Sequence, residues 1–296
     1  ERFKAIKKDI LNNGDILSIT QSDVIGDIHR KFFEAGSDIA STNTFSATTL
    51  AQSEFFVDDP RETGEGVKDQ ELFQKIIEDN FLRDLTWEIN YKSAQLCKQW
   101  DDRVSNDCGI KKYVAGSIGP LTVSLSQSPD AEDAALRTVS FNQVVDAYIH
   151  QIEALIEGGS DILLVETIFD VLNAKAASVA IKEVREKLKI NIPIIYSAAV
   201  GMGGETMISA MKIESFINSF EHTNPLALGL NCSLGPDPIR APLWELSSKT
   251  DNYVSVFPNA GLPNPLAPSG FDLSPNDMAR YAGEFAAYGL INFVGV

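Results

Sequence analysis

The sequence lacks several features that define whole classes of protein. It has only three cysteines in 296 residues, too few for a disulfide framework, and free thiols are typical of a reducing compartment. No apolar run approaches the roughly 18 residues of a membrane-spanning helix. The first residues also lack the apolar segment of a signal peptide. The sequence therefore predicts a cytoplasmic protein that does not enter a membrane.

Basic residues and histidines are also scarce. Twenty-five Lys and Arg stand against 41 Asp and Glu, which gives a net charge of -16. Such a surface repels phosphate backbones and anionic lipid, so we expect neither nucleic acid nor membrane as a partner. The three histidines form no His-x-x-x-His pair, and no glycine-rich loop has the spacing and lysine of a phosphate-binding loop.

Short apolar runs alternate with segments of helical periodicity. The predicted strands are 38–41, 113–117, 161–166, 193–198, 226–232, 253–258 and 292–296. The predicted helical segments are 23–35, 70–100, 140–157, 171–188, 213–222, 238–249 and 275–288, and 70–100 is expected to form one helix or two. Alternation of this kind favours a parallel sheet covered by helices.

An internal repeat narrows the fold class. Glu-Ala-Gly-Ser-Asp-Ile at 34–39 is echoed by Glu-Gly-Gly-Ser-Asp-Ile at 157–162, each predicting a helix that ends at glycine before a strand. Repeated units favour an α/β fold of the (β/α)8 TIM-barrel type, with its first strand expected before Glu1. We expect one domain over 1–296, with an acidic insertion at 55–69 and a loop at 258–272.

Polar residues stand where several predicted strands end. In parallel barrels the carboxyl ends of the strands face the active site, so these residues are the candidates for chemistry. They are Asn43, Glu166, Thr167, Asn231, Cys232 and Asn259.

Each candidate also has a purely structural interpretation. Cys232 as a thiolate would be a good zinc ligand, whereas a buried neutral thiol is only a small core side chain. Glu166 could bind a substrate ammonium group or form a salt bridge. Cys97 lies in a helical pattern and Cys108 in a polar loop, so neither is expected to join Cys232 at a metal.

Five motifs at these strand ends recur in one order along the chain. They are Ser-Thr-Asn-Thr-Phe-Ser (41–46), Val-Ala-Gly-Ser-Ile-Gly-Pro (114–120), Leu-Val-Glu-Thr-Ile-Phe-Asp (164–170), Gly-Leu-Asn-Cys-Ser-Leu-Gly-Pro (229–236) and Pro-Asn-Ala-Gly-Leu-Pro-Asn (258–264). Together they resemble the homocysteine S-methyltransferase family, most closely the N-terminal homocysteine-binding barrel of cobalamin-dependent methionine synthase.

The resemblance implies zinc-dependent methyl transfer to the thiol of homocysteine, giving methionine. The family holds Zn²⁺ through three cysteines; Cys232 matches one, and the other two are expected beyond Val296. By resemblance, Glu166 would bind the substrate amino group, and Asn43, Thr167 and Asn231 would shape the site. Asn259 would approach the open metal position when no thiol is bound there. We accordingly expect the 296-residue chain by itself to bind zinc poorly and to show little activity.

The resemblance leaves the methyl donor open. Methylcobalamin is one candidate, with cobalamin and folate bound only by other modules, and a betaine-like onium compound is the alternative. A metal-free, non-catalytic binding protein is a third interpretation. The sequence also departs from the family pattern at Ser41, which replaces a glutamate, and at 201–210, which replaces Ser-Gly-Arg-Thr-Leu-Ser-Gly.

Overall fold

A computed structural model of the chain describes residues 3, 6, 8–64 and 66–295. In this part of the chain the strands are β1 (Ile39–Ser41), β2 (Tyr113–Ile118), β3 (Ile162–Ile168), β4 (Ile194–Ala198), β5 (Ala227–Asn231), β6 (Tyr253–Phe257) and β7 (Phe293–Val294). The helices are α1 (Leu17–Thr20), α2 (Ser22–Glu34), α3 (Thr49–Phe56), α4 (Pro60–Thr63), α5 (Gln70–Glu78), α6 (Asn80–Cys108), α7 (Phe141–Glu157), α8 (Val171–Leu188), α9 (Ile213–Phe220), α10 (Arg240–Lys249) and α11 (Pro275–Ala287), with a 3-10 turn at Glu221–Thr223.

The first of two compact units comprises Glu1–Leu164 and Ala176–Ile192. In it β1 pairs in parallel with β2, and Ala40 lies opposite Val114. These two residues pack with Phe33 of α2 and Cys97 of α6 in one buried cluster. The apolar face of each helix therefore covers the strands, as expected for a helix-covered parallel sheet.

The second unit comprises Val165–Lys175 and Pro193–Val296. It contains the end of β3 and the parallel pairs β4–β5, β5–β6 and β6–β7. Every residue of β4 and β5 is buried, which explains why both strands consist mostly of apolar residues. Strand order follows chain order, from β1 to β3 in the first unit and from β3 to β7 in the second.

These elements confirm most of the predicted ones and give an α/β fold with sequential strands. Each predicted strand is present within one or two residues, except that Val296 lies outside the described residues. Gly36 and Gly159 adopt positive φ, 109° and 107°, where the repeat predicted that helices end at glycine. No strand precedes β1 in the described residues, so the eighth strand stays a prediction.

The helical segment 70–100 forms two helices, which is one of the two outcomes the sequence predicts. Asp79 separates them, and its carboxylate caps α6 by accepting a hydrogen bond from the Leu82 amide at 2.8 Å. The prediction that Cys108 lies in a polar loop was wrong, because Cys108 is the last residue of α6. Helix α3 was missed, although Thr48 caps it by accepting from the Ala51 amide.

The predicted acidic insertion at 55–69 overlaps the end of α3 and contains the short helix α4. Asp59 caps α4, and Gly64 ends it with φ of 73°. The predicted loop at 258–272 is irregular apart from one bridge between Pro263 and Phe271. No helix in the described part of the chain is both long and apolar enough to cross a bilayer.

Two buried ionisable groups of the first unit are shifted in opposite senses. Burial lowers the pKa of His29 to about 4, and its Nε2 has no hydrogen-bond partner among the residues that the structure describes. Burial also raises the pKa of Asp15 to about 6, although the Ser46 amide donates to its carboxylate at 3.0 Å. His29 therefore destabilises the fold as the pH falls below 6.5, while Asp15 destabilises it as the pH rises from about 4 to 6.

Replacing His29 with leucine should flatten the acid side of the stability profile. At pH 5 the histidine is protonated in the unfolded chain but not in the folded protein. The free energy of unfolding of the wild-type protein should therefore fall by about 2 kcal/mol more than that of His29→Leu between pH 7 and pH 5. Urea unfolding at both pH values measures this difference. Asp15 is present in both proteins and cancels from the comparison. Parallel profiles would show that His29 does not titrate as described.

Candidate active site

Cys232 lies directly after β5 and is half-buried. Its amide donates to the Phe257 carbonyl of β6 at 3.0 Å, so residue 232 is still held by the neighbouring strand. Cys232 and Ser233 both have φ of 60°, a conformation that is uncommon outside glycine. The strand thus ends in a constrained turn at the cysteine, and the thiol is not part of the closed apolar core.

The turn after Cys232 is tied to the loop after β6. The Leu234 amide donates to the Cys232 carbonyl at 2.6 Å, and the Asn259 amide donates to the Leu234 carbonyl at 3.0 Å. The Ser233 hydroxyl donates to the thioether sulfur of Met207 at 3.1 Å, which adds the loop after β4. Asn259 is thereby held beside the Cys232 turn, as its place at a strand end predicted.

Thr167 and Asn231 contact each other through two hydrogen bonds. The Thr167 amide donates to Asn231 Oδ1 at 3.0 Å, and Asn231 Nδ2 donates to Thr167 Oγ1 at 2.7 Å. Both side chains are buried. The contact joins the ends of β3 and β5. Glu166, the half-buried residue before Thr167, belongs to the same unit as Cys232.

Asn43 belongs to the first unit and follows β1 by two residues. Its side-chain amide donates to the Gly14 carbonyl at 2.9 Å and to the Ser18 hydroxyl at 3.1 Å. Its backbone amide donates to the Ser93 hydroxyl at 2.7 Å. These bonds fasten the loop after β1 to α1, to the segment before it and to α6. A role for Asn43 in substrate binding stays a prediction.

Cys232 is the one cysteine that lies at a strand end. Cys97 is completely buried, and burial raises the pKa of its thiol, so it remains protonated. Cys108 is exposed at the end of α6 in the first unit. Within the ranges that the structure describes, no three His, Cys, Asp or Glu side chains are grouped to hold a metal ion. A role for Cys232 as a metal ligand therefore stays a prediction.

β5 and β6 approach each other closely two residues before Asn231, and this approach was not predicted from the sequence. Gly229 lies opposite Ser255, and a Cβ at position 229 would lie 1.9 Å from Ser255 Oγ. Glycine is thus required two residues before Asn231. A glycine inside an apolar run is the signal that could have shown this approach.

The comparisons with known proteins agree in family and fold. A model of the homocysteine S-methyltransferase family matches residues 1–296. The solved homocysteine methyltransferase MmuM from Escherichia coli, in its metallated form, has 17% sequence identity and a TM-score of 0.66, over 95% of this chain and 82% of that one. The oxidized form of MmuM has 17% sequence identity and a TM-score of 0.63, over 94% of this chain and 81% of that one. The apo form has 16% identity and a TM-score of 0.64, over 95% of this chain and 82% of that one. At this identity the structural likeness shows a shared fold.

Proposed function

The chain belongs to the homocysteine S-methyltransferase family, and we propose that it transfers a methyl group to the sulfur of homocysteine, giving methionine. The observation that carries the proposal is the arrangement in the second unit. There Cys232 ends β5 in a constrained turn, and Asn231 ties that strand end to Thr167, next to Glu166. A soft sulfur and a carboxylate on one set of strand ends suit an amino-acid thiol.

The reaction needs a sulfur nucleophile. The homocysteine sulfur forms a bond to the methyl carbon while the bond between that carbon and the donor breaks, and the thiol proton is released. A free thiol at neutral pH is mostly protonated, so the site must favour the thiolate. Partial burial of Cys232 and Glu166 would keep bulk water from both ends of a bound substrate.

The described residues do not by themselves fit a zinc ion, because they supply one sulfur where the family pattern has three. We propose Cys232 as one zinc ligand. The methyl donor is proposed as methylcobalamin carried by another module, or alternatively a betaine-like onium compound. Assays with each donor separately distinguish these two.

We propose that Glu166 binds the substrate ammonium group through a charge-assisted hydrogen bond. Thr167 and Asn259 then border the substrate, since both lie at the same strand ends. A carboxylate in a half-buried position binds an ammonium more strongly than one in open solvent, because water competes less well.

Replacing Glu166 with glutamine should raise the KM for homocysteine about 10- to 100-fold, since a charged hydrogen bond is worth about 1.5–3 kcal/mol. Steady-state methyl transfer measures it, with 4-sulfanylbutanoate, which lacks the amino group, as a second substrate. The wild-type enzyme should prefer homocysteine, and Glu166→Gln should lose most of that preference.

Glu245→Gln is the matched control, because Glu245 lies on α10 of the same unit and pairs with Lys249 at the surface. It should leave both KM values unchanged. If Glu166→Gln kept the full preference for homocysteine over the deaminated substrate, Glu166 would not bind the ammonium group.

A further inference from the structure

We propose that Asn231 is a positioning residue that acts on the substrate through Thr167 and Glu166 rather than by touching it. This inference rests on the proposed function of Glu166. The observation behind it is the two-point contact between the Asn231 amide and Thr167, at 3.0 Å and 2.7 Å. Asn231 is only 8% exposed and Thr167 only 3%, so both bonds are shielded from water.

Both ends of the Asn231 amide are engaged with one residue. The oxygen accepts from the backbone of Thr167, and the nitrogen donates to its hydroxyl. The contact therefore fixes both the main chain and the side chain of Thr167. A residue whose amide oxygen and nitrogen are bound in this way is better suited to hold the protein than to orient a ligand.

Thr167 is held in a conformation that it would not adopt freely. Its φ is 56°, which is a genuine outlier for a β-branched residue. Such strain persists only where surrounding contacts over-determine it, and it gathers at functional sites. The hydrogen bonds with Asn231, which lies 64 positions further along the chain, hold Thr167 in this conformation.

The consequence falls on Glu166. It directly precedes Thr167 in β3, so a change in φ at 167 rotates the peptide that links the two residues and alters where β3 ends. The regular alternation of side chains along the strand also stops at this point. Asn231 thereby sets the position from which the Glu166 carboxylate meets the ammonium group.

A double-mutant cycle tests this role. Asn231→Ala should raise the KM for homocysteine about 10-fold or more, and should leave the KM for 4-sulfanylbutanoate nearly unchanged, because only the amino group depends on Glu166. In the Glu166→Gln background the same change should have almost no further effect. Additive effects, or equal effects on both substrates, would overturn the proposal.

A crystal structure of Asn231→Ala separates this inference from the proposed function. We expect residue 167 to leave the left-handed region and the Glu166 carboxylate to shift. If φ at 167 stays near 56°, the positioning role is wrong whatever the enzyme does. If wild-type protein does not methylate homocysteine but the conformation changes, the function fails while the structural role holds.

Thr167→Val tests the same contact if the Asn231→Ala variant does not fold. Valine keeps the shape of threonine and removes only the bond from Asn231 Nδ2. The KM for homocysteine should then rise by a smaller factor, about 3- to 5-fold, in the same direction. No change in KM for either substrate would contradict the proposed contact.

Discussion

Methyl transfer to homocysteine should fall at least about 100-fold when Cys232 is replaced by serine. A serine hydroxyl has nearly the size of a thiol but does not form the soft anionic ligand that zinc prefers. Even residues that only support metal ligands typically cost 10- to 100-fold in metal affinity or activity when changed. Because Cys232 sits in a half-buried turn rather than in the core, the fold should remain intact.

Cys108→Ser provides the matched control, since Cys108 is exposed in the other unit. It should retain wild-type activity and zinc content. Transfer rates and zinc per protein are measured together for both variants, with the thermal midpoint as a check on folding. Full activity of Cys232→Ser would show that Cys232 has no role in the reaction.

The second large effect is expected at Gly229. A Cβ there would meet Ser255 Oγ at 1.9 Å and the Ser255 carbonyl oxygen at 2.8 Å, so β5 and β6 must separate to accept it. Gly229→Ala should lower the free energy of unfolding by about 3 kcal/mol, at the upper end of overpacking effects. The displaced strand would also carry Asn231 and Cys232 with it, so homocysteine binding should weaken.

Gly283→Ala makes the same chemical change where nothing crowds it. Gly283 lies in α11 of the same unit, with open space around its Cβ position, so alanine should stabilise the helix by up to about 1 kcal/mol. Adding Ser255→Gly to Gly229→Ala should recover part of the loss, since it removes the nearer of the two clashing atoms. Urea unfolding measures all of these; a Gly229→Ala protein as stable as wild type would contradict the packing of β5 on β6.

The strands could be predicted because a strand that is buried on both faces consists mostly of apolar residues, which is visible in the local sequence. β4 and β5 consist mostly of apolar residues, and the glycine caps at 36 and 159 follow from local conformation. Helix α3 escaped notice because its sequence, Thr-Leu-Ala-Gln-Ser-Glu-Phe-Phe, has little amphipathic periodicity. The break at Asp79 depends on one capping carboxylate inside an otherwise helical pattern.

In the candidate site, too, some features could be predicted from the local sequence and others could not. That Glu166, Thr167, Asn231 and Cys232 stand at strand ends follows from the order of residues along each strand. The pairing of Asn231 with Thr167 does not, because it joins residues 64 positions apart and depends on how β3 and β5 lie in the folded unit. The positive φ values at Thr167 and Cys232 are likewise set by tertiary contacts, since neither residue type favours them.

Recognition of the substrate sulfur through Cys232 is the central claim, and calorimetric titration with homocysteine and homoserine tests it most directly. The protein as expressed from its gene, in zinc-containing buffer, should bind homocysteine at least about 10-fold more tightly than homoserine, which carries oxygen in place of sulfur. Cys232→Ser should abolish that preference. An unchanged preference for homocysteine in Cys232→Ser would place the substrate sulfur elsewhere and contradict the account.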